Sequence, residues 1–133
     1  MSKVVEYLNN NKVGQFATIK DGQVVMRPFH FLCEKDGKFI FGTANDKEVY
    51  KELKENPTAA FAVMGDNMQW VRLRGKVQFS DNQELKNEIF KVEPLLATVY
   101  KTPDNPRFEL FCIYDGVASL HGGMGNVVEE IKF

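Results

Sequence analysis

Cysteine is scarce in this chain, two residues in 133, and each lies inside an apolar, strand-like segment with no partner at CxxC spacing. Cys33 and Cys112 therefore read as buried, reduced thiols, and neither a disulfide framework nor a metal centre is expected. A bias in charge is missing too: seventeen basic residues stand against eighteen acidic ones, a formal net charge of −1. Without a broad basic surface there is no electrostatic footprint for a phosphate polymer, and nucleic acid is not an expected partner. No apolar run approaches the roughly 18 residues of a membrane span. The N-terminus, MSKVVEYLNN, lacks the apolar stretch of a signal peptide, so a cytoplasmic protein without membrane contact is the expectation. Linkers, repeats and low-complexity tracts are absent as well, which leaves residues 1–133 as one expected domain. A chain of this length can bury about two-thirds of the surface it exposes when unfolded.

What the chain does have is a succession of short strands punctuated by turns. Ser2 can cap a first helix with Val4, Val5 and Leu8 on one stripe, and Gly14 marks the change to a strand through Phe16, Thr18 and Ile19. Asp21-Gly22 and Asp36-Gly37 are two-residue hairpin turns, so strands at Phe16–Ile19, Gln23–Cys33 and Lys38–Thr43 are expected to form a meander. A helix from about Asp46 to Glu55 stops at Asn56-Pro57, followed by strands at Ala59–Met64 and Gln69–Phe79. Asp81 and Glu84 resemble a capping box opening a helix, and Pro94–Tyr100 adds another helical turn. Asp115-Gly116 is read as a third hairpin turn, between Phe108–Tyr114 and Val117–Leu120, before a last strand at Val127–Ile131. The fold class is mainly β: six or more antiparallel strands in a closed or partly open barrel with helices at its margins.

Two strands carry unusual patterns. Gln23–Cys33 is apolar on both faces, with Arg27 beside Val25, Phe29 and Phe31 on one side and Val24, Met26, Pro28 and His30 on the other, so one face is expected in the barrel interior and the other under a ligand, a helix or a partner subunit. Pro28 removes a ladder donor, which argues for an edge or an interruption at that point. In Gln69–Phe79, Val71, Leu73, Val77 and Phe79 point one way and Trp70, Arg72, Arg74, Lys76 and Gln78 the other. A tryptophan on that polar face suits an interface or an aromatic ligand, and equally suits packing across the sheet under a loop.

The stretch from Arg27 to Pro57 is the candidate site. A helix opening near Asn45 or Asp46 leaves unpaired backbone donors at its positive end, Thr43 adds a hydroxyl and Lys47 a charge, together a cradle for a phosphate monoester. The alternative is structural: Asn45 or Asp46 caps the helix, Arg27 pairs with a glutamate across the sheet, and His30 is a packed core histidine.

The order of these pieces, Arg-Pro-x-His, a DGK hairpin, FIFGT, K-x-V-x-x-L-x-x-NP and a later G-K-V strand, resembles the FMN-binding split-barrel family related to pyridoxamine 5′-phosphate oxidase. The closing FELFCIYDGVASLHGG is similar to the last strands of its small bacterial members. The resemblance implies a six-stranded split barrel and a homodimer with non-covalent FMN at the subunit interface. On that basis Arg27 contacts the phosphate or ribityl chain, and the backbone of Pro28, Phe29 and His30 lines the isoalloxazine edge. Thr43 and Lys47 hold the phosphate, Phe41 and Gly42 shape the floor, and Gln69 and Trp70 come from the second subunit.

Two departures from the family pattern stand out. Glu48 and Val49 follow Lys47 where a second basic residue is common, and the chain closes at Glu129–Phe133 without the arginine and histidine that the oxidase uses for its substrate. Oxidation of vitamin B6 is therefore not expected. The reading is a flavin-dependent oxidoreductase of a small molecule, with no catalytic side chain assigned. Tyr100, His121 and Met124 are candidates for the edge of a substrate pocket. A flavin carrier without turnover, or a barrel for heme or a deazaflavin, are the alternatives.

Overall fold

Local turn chemistry sets the first hairpin. In the computed structural model, which describes residues 2–133, Asp21 and Gly22 both have positive φ, 52° and 73°. They join β1 (Val13–Lys20) to β2 (Gln23–His30) in register from Lys20↔Gln23 to Val13↔His30. Asp36-Gly37 repeats the device between β3 (Cys33–Lys35) and β4 (Lys38–Ala44). The remaining strands are β5 (Thr58–Met64), β6 (Trp70–Ser80), β7 (Phe108–His121) and β8 (Val127–Lys132), all paired antiparallel.

The expected meander does not form. Strand order is β2-β1-β5-β6-β7-β4-β3 with β8 also on β7, so β2 pairs with β1 alone and is an edge, the first of the two arrangements that Pro28 allows. Strand two ends at His30 rather than Cys33, because Phe31 and Leu32 cross between sheet ends: Phe31 N–H donates to the Lys12 carbonyl and Leu32 N–H to that of Ile40. Asp115-Gly116 is no hairpin either. Asp115 takes positive φ inside an unbroken β7, and the register with β6 shifts between Arg74 and Lys76, which is a bulge. A side chain on Gly116 would overlap the Arg74 carbonyl, so only glycine lets the strands approach there.

The sheet curls until its ends meet around an aromatic core. Phe16 of β1 packs against Phe41 of β4 at 5.2 Å and Phe111 of β7 at 5.7 Å, and Phe29 of β2 lies 6.2 Å from Phe41. Closure is complete only where Phe31 and Leu32 bridge the ends. Beside β4, β3 pairs with Lys38–Ile40 alone, so 41–44 face β2 across a split, over which α2 (Glu48–Glu55) packs on β1 and β4. Val49 and Leu53 supply its buried stripe.

Three further helices complete the fold. Ser2 caps α1 (Lys3–Asn10) through the Val5 N–H. Asn82, not Asp81, caps α3 (Gln83–Val92) through Leu85 N–H, since Ser80 already engages the Asn82 backbone and moves the helix start by one residue. Together α3 and α4 (Pro94–Tyr100) cover the outer side of β4 and β7, where Ile89, Leu96 and Tyr100 meet Ile40, Phe108 and Leu110. Among the described residues nothing covers the outer side of β2 and β1: Val24 and Met26 are more than 60 % exposed, so the second layer expected over strand two is not supplied by a helix of this chain. Both cysteines are free, Cys112 buried as expected and Cys33 only half-buried, and no helix among the described residues is long and apolar enough to cross a membrane.

Candidate functional site

The split between β2 and β4 ends at the start of α2, and that start is uncapped. The helix begins at Glu48, two residues later than Asp46, with Lys47 in the cap position and no side-chain cap hydrogen bond among the described residues. Both local candidates are drawn elsewhere. Asn45 donates its side-chain amide to the Pro106 carbonyl at 2.8 Å and to Glu109 at 3.0 Å. Asp46 accepts two hydrogen bonds from Arg107, at 3.1 and 3.2 Å, which hold its carboxyl below the usual aspartate range. The opening donors of α2 therefore keep their positive end free of a protein carboxylate cap. One step back along the chain, Thr43 is 2 % exposed and its hydroxyl has no hydrogen-bond partner among the described residues. Lys47 is exposed with no ion pair among the described residues.

Arg27 points to the inner side of β2, and the glutamate it meets is Glu52 on α2. Nη2 lies 2.6 Å from Glu52 Oε1, while Nη1 donates to Thr18 Oγ1 at 2.8 Å and to the Phe16 carbonyl at 3.2 Å. Thr18 completes the ring by donating to Glu52 Oε1 at 2.6 Å. Glu52 and Thr18 were not among the sequence candidates. The signal for Glu52 was present: it occupies a core-facing position between Val49 and Leu53, where a helix normally places an apolar residue.

The other candidates divide by layer. Pro28 is exposed on the edge strand, Phe29 stacks on Phe16 at 4.6 Å, and His30 Nε2 lies 3.4 Å from Glu93 Oε1 without hydrogen-bond geometry. Lys12 reaches the other Glu93 oxygen at 3.1 Å, so this end of β2 is tied to the α3–α4 junction. Phe41 is fully buried, and Gly42 faces the opposite layer against Phe108 and Leu32, so a floor at 41–42 would be formed by backbone along the split.

Gln69 and Trp70 lie elsewhere. Gln69 is tied into the β5–β6 loop by Asn67, and Trp70 lies on the outer face, stacked on His121 at 3.9 Å with Ser119 Oγ 2.8 Å from that ring's Nε2. Three strand spacings, about 14 Å, separate β2 from β6 across β1 and β5. One chain thus brings Arg27, Thr43 and Lys47 to the split and leaves Gln69 and Trp70 apart from it.

An eight-stranded antiparallel split barrel with an open helix start beside its split defines the class of this protein. The family profile described as pyridoxamine 5′-phosphate oxidase matches residues 1–114, and the chain belongs to that family. Among curated proteins it is 31 % identical over 94 residues to general stress protein 26 of Bacillus subtilis, a match covering 66 % of this chain and 65 % of that one. Among solved structures, a NimC/NimA family protein from Clostridium acetobutylicum superposes with a TM-score of 0.89 at 27 % identity, covering 98 % of this chain and 90 % of the other. Two more distant proteins share the fold: a FAD-binding protein from Mesorhizobium loti (TM-score 0.65, 17 % identity, 89 % and 94 % covered) and a heme-binding protein from Mycobacterium smegmatis (0.72, 17 %, 99 % and 58 %).

Proposed function

We propose that this protein binds FMN non-covalently and acts as a flavin-dependent oxidoreductase on a small molecule. The observation that carries the reading is the start of α2, where Asn45 and Asp46 are both engaged elsewhere and a buried Thr43 hydroxyl close by in the chain has no partner. A phosphate monoester supplies the acceptors that this constellation lacks, and Lys47 adds charge. The free edge of β2 at Arg27–His30 offers backbone groups to a ring edge. When bound, the flavin supplies hydride transfer at N5, and the chain's own residues supply position and access.

The homodimer belongs to the same proposal. On the outer face, Met26 pairs beside Ala17 and Ala60, and Pro28 beside Gln15 and Ala62. With Val13, Val24 and Met64 exposed around them, this is an apolar sheet face of the kind that takes a partner. A second copy seated there would bring its own Gln69 and Trp70, which are too far away within one chain, towards the flavin.

A flavin carrier without turnover is the second reading. No side chain is assigned as a proton donor: His121 is held between Trp70 and Ser119, and His30 Nε2 lies beside Glu93 without a hydrogen bond among the described residues. Titration of flavin-stripped protein with FMN tests the common part: saturable quenching of flavin fluorescence at one FMN per chain is expected, and absence of binding refutes both. Stopped-flow reduction of the bound flavin by NADH or NADPH separates enzyme from carrier, and sedimentation tests the dimer.

A further inference from the structure

We propose that Glu52 and Thr18 are positioning residues of the anion site, holding the Arg27 guanidinium as the group that reads the cofactor's phosphate. The inference rests on the flavin reading above. A guanidinium carries five N–H donors and stays charged. Three are committed here, to Phe16, Thr18 and Glu52, leaving Nε–H and one hydrogen on Nη2 without a protein partner among the described residues. The Arg27 side chain is 24 % exposed, so its head group is not sealed in.

Its location follows from helix geometry. Glu52 sits four residues into α2, about 6 Å along the axis from Glu48. Helical side chains lean towards the N-terminus, so the Glu52 carboxylate, and the guanidinium bound to it, lie beside the first turn, where the helix is uncapped.

Two roles are conceivable for a carboxylate in that position: it competes with a phosphate for Arg27, or it holds Arg27 in place for one. Burial decides between them. Glu52 is 6 % exposed, flanked by Val49 and Leu53 in the core, and its Oε1 accepts from both Arg27 and Thr18. Freeing Arg27 would strand a desolvated carboxylate, an outcome more costly than the hydrogen bond a phosphate would offer in exchange. The pair therefore stays closed, and an anion uses the two donors left over. Thr18, buried and bonded to both partners, fixes the angle at which they are presented.

The test is phosphate discrimination, the ratio of riboflavin Kd to FMN Kd, measured by fluorescence quenching on the full chain. Glu52→Gln is expected to lower this ratio about tenfold, the size of one charge-assisted hydrogen bond, with riboflavin affinity nearly unchanged. Arg27→Met should lose the same discrimination, and the double variant no more than Arg27→Met alone. A merely structural role would weaken both flavins together. If Glu52→Gln does not fold, Thr18→Val keeps the charge pair and should shift the ratio in the same direction by less. Unchanged discrimination in a folded variant, or tighter FMN binding by Glu52→Gln as competition demands, overturns the proposal. A wild-type chain that binds neither flavin refutes the flavin reading itself and this inference with it, a result distinct from either.

Discussion

Thr43→Val should strengthen the flavin-free protein and weaken the flavin complex, a pair of opposite signs that few other readings produce. Thr43 shares the inner face of β4 with Phe39 and Phe41 and is buried with its hydroxyl unpaired. An unsatisfied buried hydroxyl costs about 1–3 kcal/mol, and valine replaces it by a methyl group of nearly the same volume, opening no cavity. A gain of about 1–2 kcal/mol is expected in urea unfolding of flavin-stripped protein, with the slope m unchanged. For a chain of this length that corresponds to a rise of roughly 3–8 °C in Tm. In the complex the phosphate loses a hydrogen bond to the hydroxyl, which weakens FMN by roughly 1–2 kcal/mol, or about 5- to 30-fold in Kd. Riboflavin, lacking the phosphate, should bind the variant as it binds the wild type. A less stable flavin-free variant would mean that the hydroxyl is already satisfied, and unchanged FMN affinity would mean that it does not face the cofactor; either result refutes the reasoning.

Lys47→Ala should weaken FMN by about 1.5 kcal/mol, the low end for a charge-assisted bond because the side chain is exposed, and should flatten the salt dependence of FMN affinity. Equal affinity at low salt would make Lys47 an ordinary helix-start residue. Burial pushes the Cys33 and Cys112 thiols above their ordinary value of 9.0. A raised folded pKa contributes stability that is full below the unfolded value and lost as pH rises through the folded one, so denaturant midpoints should fall above about pH 9. At pH 8 the buried Cys112 thiol should label far more slowly in native than in urea-unfolded protein, with a smaller slowing at the half-buried Cys33, and fast native labelling of Cys112 would contradict its burial.

Much of this protein is written in short-range signals. Asp21-Gly22 and Asp36-Gly37 form the expected turns because positive φ at two successive residues is a local preference that matches the strand twist. The alternation along β6 sends Val71, Leu73 and Val77 inward whatever the neighbours are, since the pleat has period two. Asp115-Gly116 shows where such signals stop: the same dipeptide chemistry makes a bulge when a long partner strand is already paired on both sides of it. Position in the sheet is a matter of which distant strand arrives, so the meander expected from consecutive hairpins breaks between β2 and β4: β4 pairs with β7 on one edge and only with the short β3 on the other.

The candidate site divides along the same line. Thr43, Lys47 and the helix after them were legible because strand, turn and helix follow one another within a dozen residues. Whether that helix start is open depended on Arg107 and Pro106, some sixty residues away, which draw off Asp46 and Asn45. Glu52 was visible as an acid on an apolar stripe, but its partner was not, because no local rule places β2 beside α2. By itself, then, the sequence determined the elements, their faces and the groups available to hold an anion. Tertiary structure alone decided which of those groups are already spent, because each hydrogen-bonding partner is chosen by the strands and helices that the fold brings together.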